Sequence, residues 1–145
     1  MAQSDFNLQL IEEFRANGGE IVSGRFKGLP LLLLTTTGRK TGEPRTTPVG
    51  YTMDGDQMYI HTVNAGRPQV PQWYWNMAAN PDITLEIGAE THRATAVLMS
   101  EQESERLLAR FADREPRLQP VLDRMTAEAA PNPPRQIPIV RVERL

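Results

Sequence analysis

The sequence predicts an α+β domain built on a closed or split barrel of about six antiparallel strands, with helices at its margins. Short apolar or alternating runs follow one another with tight-turn signals between them, and short strands joined by hairpins solve the edge problem by curling. Segments of helical period flank those runs instead of alternating with every strand, which disfavours a parallel dinucleotide fold. At 145 residues and 39% hydrophobic content, the chain is sized for a single domain, residues 1–145, with one modest core.

The elements follow in order. Asp5 is placed to cap an amphipathic helix with Phe6, Leu10, Ile11 and Phe14 on one face, and Gly18-Gly19 gives a left-handed stop signal. Its polar face carries Glu12 and Glu13 rather than a lysine stripe, so it reads as a lid on the core, with peripheral membrane contact as the alternative. After the short Glu20–Arg25 segment, Gly28-Leu29-Pro30 leads into Leu31–Thr37, a central strand buried on both faces or lining a barrel. Thr46–Thr52 is the next strand, with Thr47, Val49 and Tyr51 on one side and Thr46, Pro48 and Gly50 on the other. Pro48 and Gly50 argue for an edge or a bulge there. Asp54-Gly55 signals a hairpin turn, and Gln57–Val63 then alternates Met58, Ile60 and Thr62 against Tyr59, His61 and Val63.

A loop over 64–71 ends at Pro71, which opens a short helix Gln72–Ala79 closed by Asn80-Pro81. Ile83–Ile87, a turn at Gly88 and Glu90–Met99 form another antiparallel pair. Ser100-Glu-Gln-Glu103 matches a capping box and opens a helix with Leu107, Leu108 and Phe111 on one face. A further helix lies between Arg117 and Ala130, which Pro131-Asn132-Pro133-Pro134 cannot continue. Ile137–Val142 is the last strand, and Pro138 favours an edge position for it.

Composition narrows the chemistry. With no cysteine there is no disulfide, thiol nucleophile or thiolate metal site, and His61 and His92 lie in no metal-binding spacing, so no metal is expected. The N-terminus lacks a signal-peptide layout and no segment has the apolar length of a transmembrane helix. A soluble cytoplasmic protein is therefore expected, with membrane association only through the first helix. A formal charge of −2 disfavours nucleic acid as a partner. Positive charge is local: Arg39, Lys40 and Arg45 stand against Glu43 alone in one turn.

That turn, Gly38-Arg-Lys-Thr-Gly42 with Arg45, suits an anion. Its glycines let the backbone approach closely, Thr41 and main-chain N–H groups can donate, and three cations supply charge. Taken alone it reads equally as a solvated hairpin tip. No dinucleotide or Walker glycine motif, Ser–His–Asp set or H-E-x-x-H is present. Two other stretches could join the turn in space: the strand end His61–Asn64, and Trp73-Tyr74-Trp75-Asn76. Trp73 and Trp75 are two apart on a helix, so one packs and the other is left to cover a ligand, while His61 reads first as a hydrogen-bonded strand residue.

Thr35-Thr-Thr-Gly-Arg-Lys-Thr-Gly42, Arg45 with Pro48-Val49, then Trp73-Tyr74-x-Asn76 and Asn80-Pro81 stand in family-like order and spacing. Here the chain resembles the deazaflavin-dependent nitroreductase family, small split-barrel reductases that use coenzyme F420. The resemblance runs from the N-terminal helix to Arg135-Gln-Ile-Pro-Ile-Val140. It implies a split β-barrel like the FMN-binding barrels of pyridoxamine-phosphate oxidases, with the deazaflavin in a groove. Carried over residue by residue, Arg39, Lys40, Thr41 and Arg45 would hold the phosphate and acidic tail. Thr46, Thr47, Pro48, Val49, Gly50 and Tyr51 would follow the ribityl chain and ring. His61, Thr62, Val63 and Asn64 would line the ring side, and Gln72, Trp73, Tyr74, Trp75 and Asn76 would close the pocket.

The implied reaction is hydride transfer from reduced coenzyme F420 to an electron-poor acceptor: a quinone, an activated alkene or a nitroaromatic compound. The cofactor carries the hard chemistry, so no strong acid or base is required of the protein, a monomer or homodimer. Better-known members have tyrosines between the second helix and the last strand. This chain has Leu118, Val121, Leu122 and Met125 there and no tyrosine after Tyr74, and Val63 stands at a family serine position, which points to an apolar acceptor. The alternatives are a related barrel that uses FMN and a non-catalytic module that stores or delivers the cofactor.

Overall fold

The apolar run Leu31–Thr37 forms β1 over the predicted span in the computed structural model, which describes residues 5–24 and 26–145. The remaining strands are β2 (Pro44–Gly50), β3 (Thr52–Asp54), β4 (Gln57–His61), β5 (Asp82–Ile87), β6 (Glu90–Leu98) and β7 (Ile139–Arg144). The helices are α1 (Asp5–Ala16), α2 (Gln72–Ala79), α3 (Glu101–Arg114) and α4 (Leu118–Ala129), with a single 3-10 turn at Asn64–Gly66. Arg25, the end of one predicted segment, and residues 1–4 lie outside the described residues.

All seven strands join one antiparallel sheet in the order β2-β1-β5-β6-β7-β4-β3. The two outermost strands, β2 and β3, are consecutive in the chain with Tyr51 alone between them. The sheet must therefore curl until its ends meet, joined there by covalent chain, which is the expected α+β split barrel.

β1 is buried on both faces, as its leucine run requires. Leu32 and Leu34 enter the interior cluster with Val49, Met58, Ile60, Leu85 and Val140, while Leu33 packs on the opposite face with Ile11 and Phe14 of α1. All three leucines have 0% exposure, and burying each contributes about 1.5–3 kcal/mol. The C-terminal end of α1 docks on the end of β5 through an Arg15–Glu86 fork of 3.0 and 2.8 Å. Gly19, at φ +95°, runs so close to the Gly88 backbone that a Cβ would not fit. A separate cluster of Val63, Leu107, Phe111, Leu118, Met125 and Ile139 lies beneath α3 and α4. Ser100 caps α3 as its motif predicts, its Oγ accepting the Glu103 N–H at 3.1 Å, while the Glu103 carboxylate turns to Arg106.

Four expectations need correction. Asp5 lies inside the first turn of α1, where its charge favours the helix dipole, rather than flanking it as a cap. Phe6 is 47% exposed instead of buried beside Ile11 and Phe14, and its ring lies 5.7 Å from that of Phe26. The Thr46–Thr52 run is two strands, beginning at Pro44 and broken at Tyr51. β2 is an edge strand, as predicted, so prolines without an N–H are tolerated in it. β7 is not an edge: it lies between β6 and β4. Pro138 stands just before its ladder, and its carbonyl accepts both the N–H and the hydroxyl of Thr62, at 3.2 and 2.9 Å.

Candidate cofactor site

The cationic turn is closed by its own backbone. Gly38 N–H donates to Glu43 O at 2.8 Å, Gly42 N–H donates to Gly38 O at 2.7 Å, and Gly42 has φ +75°. Thr41 Oγ1 accepts the Glu43 N–H at 3.2 Å. A Cβ on Gly38 would lie 2.9 Å from Thr41 Oγ1 and 3.1 Å from Glu43 O, so only glycine suits this tight return.

Arg39 joins the turn to α2. Its backbone N–H and Nη1 donate to Asn76 Oδ1 at 3.2 and 2.9 Å, and its Nη2 donates to Gln72 Oε1 at 2.6 Å. Asn76 is 6% exposed and donates in turn to Thr36 Oγ1 at 3.3 Å. Both ends of this buried amide are thus satisfied, and it ties the end of β1, the turn and α2 into one unit. Lys40 is exposed, and its side chain has no hydrogen bond or ion pair among the described residues.

From the turn, β2 carries the predicted polar run along the sheet edge. Arg45 stands opposite Thr36, Thr46 opposite Thr35 with their hydroxyls 2.7 Å apart, and Thr47 opposite Leu34. Arg45 through Pro48 and Gly50 are half-buried, whereas Val49 points into the core. Tyr51, Trp73 and Tyr74 pack against the same interior cluster, and burial raises the Tyr74 pKa. Trp75 is 45% exposed and meets Tyr74 edge-on at 5.1 Å. The two tryptophans therefore divide as their spacing demands, one packing and one open.

At the end of β4, His61 Nδ1 accepts the Val63 N–H at 3.4 Å, a contact made by the neutral ring with its proton on Nε2. Burial pushes its pKa below the ordinary imidazole value, against a smaller opposing effect of a backbone hydrogen bond. The side chains of Thr62 and Val63 face the protein: Thr62 has 0% exposure and Val63 belongs to the cluster under α3 and α4. Asn64 is half-buried, at φ +55°, and its Nδ2 donates to Gln69 O at 2.9 Å.

The structure thus brings the turn and the start of α2 into direct contact, and Tyr51, Trp73 and Tyr74 onto one cluster. Sequence reasoning missed Thr36, whose buried hydroxyl anchors Asn76, and Arg135, which binds the carbonyls of Thr62, Val63 and Arg67. Neither carries a local signal beyond its place in a longer motif. The residues present fit a ring cofactor bearing a phosphate, since they combine an exposed cation, a polar strand edge and flat aromatic surface. Among the described residues no group of His, Cys, Asp and Glu could hold a metal ion. A cavity of about 270 Å³ lies elsewhere, between α3, α4 and the 134–137 segment.

The model of the family described as F420H(2)-dependent quinone reductase matches residues 9–141. The chain belongs to this family. Its description carries the cofactor expected from the resemblance, coenzyme F420. An F420H(2)-dependent quinone reductase of Mycobacterium tuberculosis is 43% identical over 84 residues, 57% of this chain and 56% of that protein. The matched stretch thus spans just over half the length of this curated relative. Among solved structures, an F420-H2 dependent reductase superposes with TM-score 0.60 at 26% identity, covering 79% of this chain and 94% of that one. A structure described as a domain-swapped dimer also gives TM-score 0.60, at 27% identity, covering 94% and 93% of the two chains.

Proposed function

We propose that this protein is an F420-dependent reductase that passes a hydride from reduced coenzyme F420 to a quinone, with activated alkenes and nitroaromatic compounds as further acceptors. One observation carries the reading: the cationic turn is hydrogen-bonded through Arg39 to Asn76 and Gln72 of the aromatic helix, so charge and flat surface belong to one site. Lys40, Thr41 and Arg45 take the phosphate and acidic tail, and Arg39 holds the turn in shape beside them. The edge from Thr46 to Tyr51 follows the ribityl chain, His61 to Asn64 form the ring side, and Gln72 to Asn76 close over it. The bound deazaflavin supplies the hydride, so the protein's tasks are to bind, orient and leave one ring face open.

The apolar character of Leu118, Val121, Leu122 and Met125 favours an apolar acceptor. The exposure of Phe6 (47%), Leu8 (47%) and Val22 (49%) supports peripheral contact with a membrane where such acceptors partition. No helix among the described residues is long and apolar enough to cross one. Of the two assemblies, the domain-swapped neighbour supports a homodimer. The test is oxidation of reduced F420 in the presence of a panel of quinones, enones and nitroarenes. Turnover with quinones is expected, whereas binding without consumption by any acceptor would make the protein a storage or delivery module.

A further inference from the structure

We infer that Arg135 is a positioning residue that aims the backbone N–H of Asn64 at the deazaflavin ring by holding the carbonyls behind it. The inference rests on the cofactor reading above and adds a residue from the C-terminal third to that site.

The Arg135 guanidinium has four acceptors, and all are neutral carbonyl oxygens. Nη2 donates to Thr62 O at 2.8 Å and Val63 O at 3.0 Å, Nε to Arg67 O at 3.1 Å, and Nη1 to Gln136 O at 2.9 Å. Burial lowers its pKa, and no ion pair offsets that cost among the described residues. A second arginine acts on the same segment: Arg124 of α4 donates to Ala65 O at 2.8 Å. Two guanidinium groups therefore hold the carbonyls of residues 62, 63, 65 and 67.

The segment they hold needs holding. Asn64 and Ala65 both have φ +55°, the left-handed region that non-glycine residues adopt at a cost. Val63 just before them is right-handed, at φ −60° and ψ −32°. That right-then-left sequence turns successive N–H groups toward one concave side, an arrangement that accepts anions and carbonyl oxygens.

One peptide unit decides the direction. The Val63–Asn64 bond is trans, so its N–H points opposite to its carbonyl. Arg135 holds that carbonyl, and the Asn64 N–H, on the far side, has no acceptor among the described residues. By contrast, the Val63 N–H goes to His61 and the Gly66 N–H to Val63 O. The Ala65 N–H also has no acceptor among the described residues, but its peptide carbonyl, Asn64 O, is held by the Arg67 N–H and not by Arg135. Asn64 is therefore the donor that Arg135 aims at an oxygen of the ring. A lysine could not replace Arg135, because one ammonium lacks the planar fork that reaches several carbonyls at once.

The test is an NMR titration of the 15N-labelled chain with oxidised F420, comparing the unaltered protein with Arg135→Met, Arg135→Lys and Arg124→Gln. In the unaltered chain the Asn64 amide proton should move downfield on binding. Both Arg135 variants should lose that shift and bind about tenfold more weakly, the equivalent of one hydrogen bond, while the Lys40 amide still responds. Added guanidinium ion should restore part of the shift in Arg135→Met, an effect general destabilisation would not give. If Arg135→Met does not fold, Arg124→Gln must still speed hydrogen exchange of residues 62–67 and reduce the Asn64 shift. Arg135 variants with the full Asn64 shift and unaltered affinity would overturn the inference, as would an Arg124→Gln variant with unaltered exchange and shift. No binding by the unaltered chain would instead overturn the cofactor reading on which it rests.

Discussion

The sheet ends in two hairpins that treat charge in opposite ways. At the β3–β4 hairpin, Asp54 is met by Arg110 and Arg114 of α3 at 3.0 and 3.5 Å, so its charge is spent within the protein and fastens the hairpin to the helix. At the β1–β2 hairpin, Arg39 is bonded to the neutral amides of Asn76 and Gln72, and Lys40 has no partner among the described residues. Both tips are short returns at sheet edges, so geometry does not distinguish them. The difference is where the charge goes: one tip commits its carboxylate to ion pairs with α3, and the other leaves Lys40 open to solvent.

Charge removal should therefore have opposite consequences at the two tips. Lys40→Ala and Arg45→Ala should each weaken F420 binding by about 1.5–3 kcal/mol, the worth of one charged hydrogen bond once desolvated, as measured by fluorescence titration. Unchanged affinity in both would place the phosphate elsewhere. Asn76→Leu should cost about 1–3 kcal/mol of stability in urea denaturation, because it strands the Arg39 donors and the Thr36 hydroxyl, and it should weaken binding by loosening the turn. At the other tip, Asp54→Asn should cost no more than about 1 kcal/mol, as for other part-exposed ion pairs, and leave F420 affinity as it was. A loss of affinity there as large as that of Lys40→Ala would erase the contrast.

The smallest effect is a pH dependence. Burial lowers the folded-state pKa of His61 below its ordinary 6.5, so below that value the unfolded chain binds more protons than the folded one. The stability associated with neutral His61 is complete above pH 6.5 and is lost as pH falls from there through the folded-state value. His61→Gln should flatten that part of the thermal stability profile, and an equally steep slope in the variant would assign it to other groups.

Most of the fold was legible because its signals are local. The leucine run of β1, the Pro71 start of α2, the Ser100 cap and the prolines of β2 each act within a few residues of their position. Strand order is not local. Pro138 read as an edge marker because sequence does not reveal that it stands one residue before the ladder, in a strand whose neighbours come from far away in the chain. The site divides in the same way. Its charge and aromatic content could be read directly, but the Arg39–Asn76–Thr36 link and the Arg135 clamp join residues dozens of positions apart. The same distance hid that Thr62 and Val63 turn their side chains into the protein and that Pro138, His61 and Arg135 take up their main-chain groups.

The central claim is that the open charge at the β1–β2 tip serves a deazaflavin with an acidic tail. Titrating coenzyme F420 and FMN separately against the fluorescence of Trp73 and Trp75 tests it most directly, because FMN has the phosphate but lacks that tail. Tighter binding of F420 is predicted; tighter binding of FMN, or equal affinity for both, would contradict it.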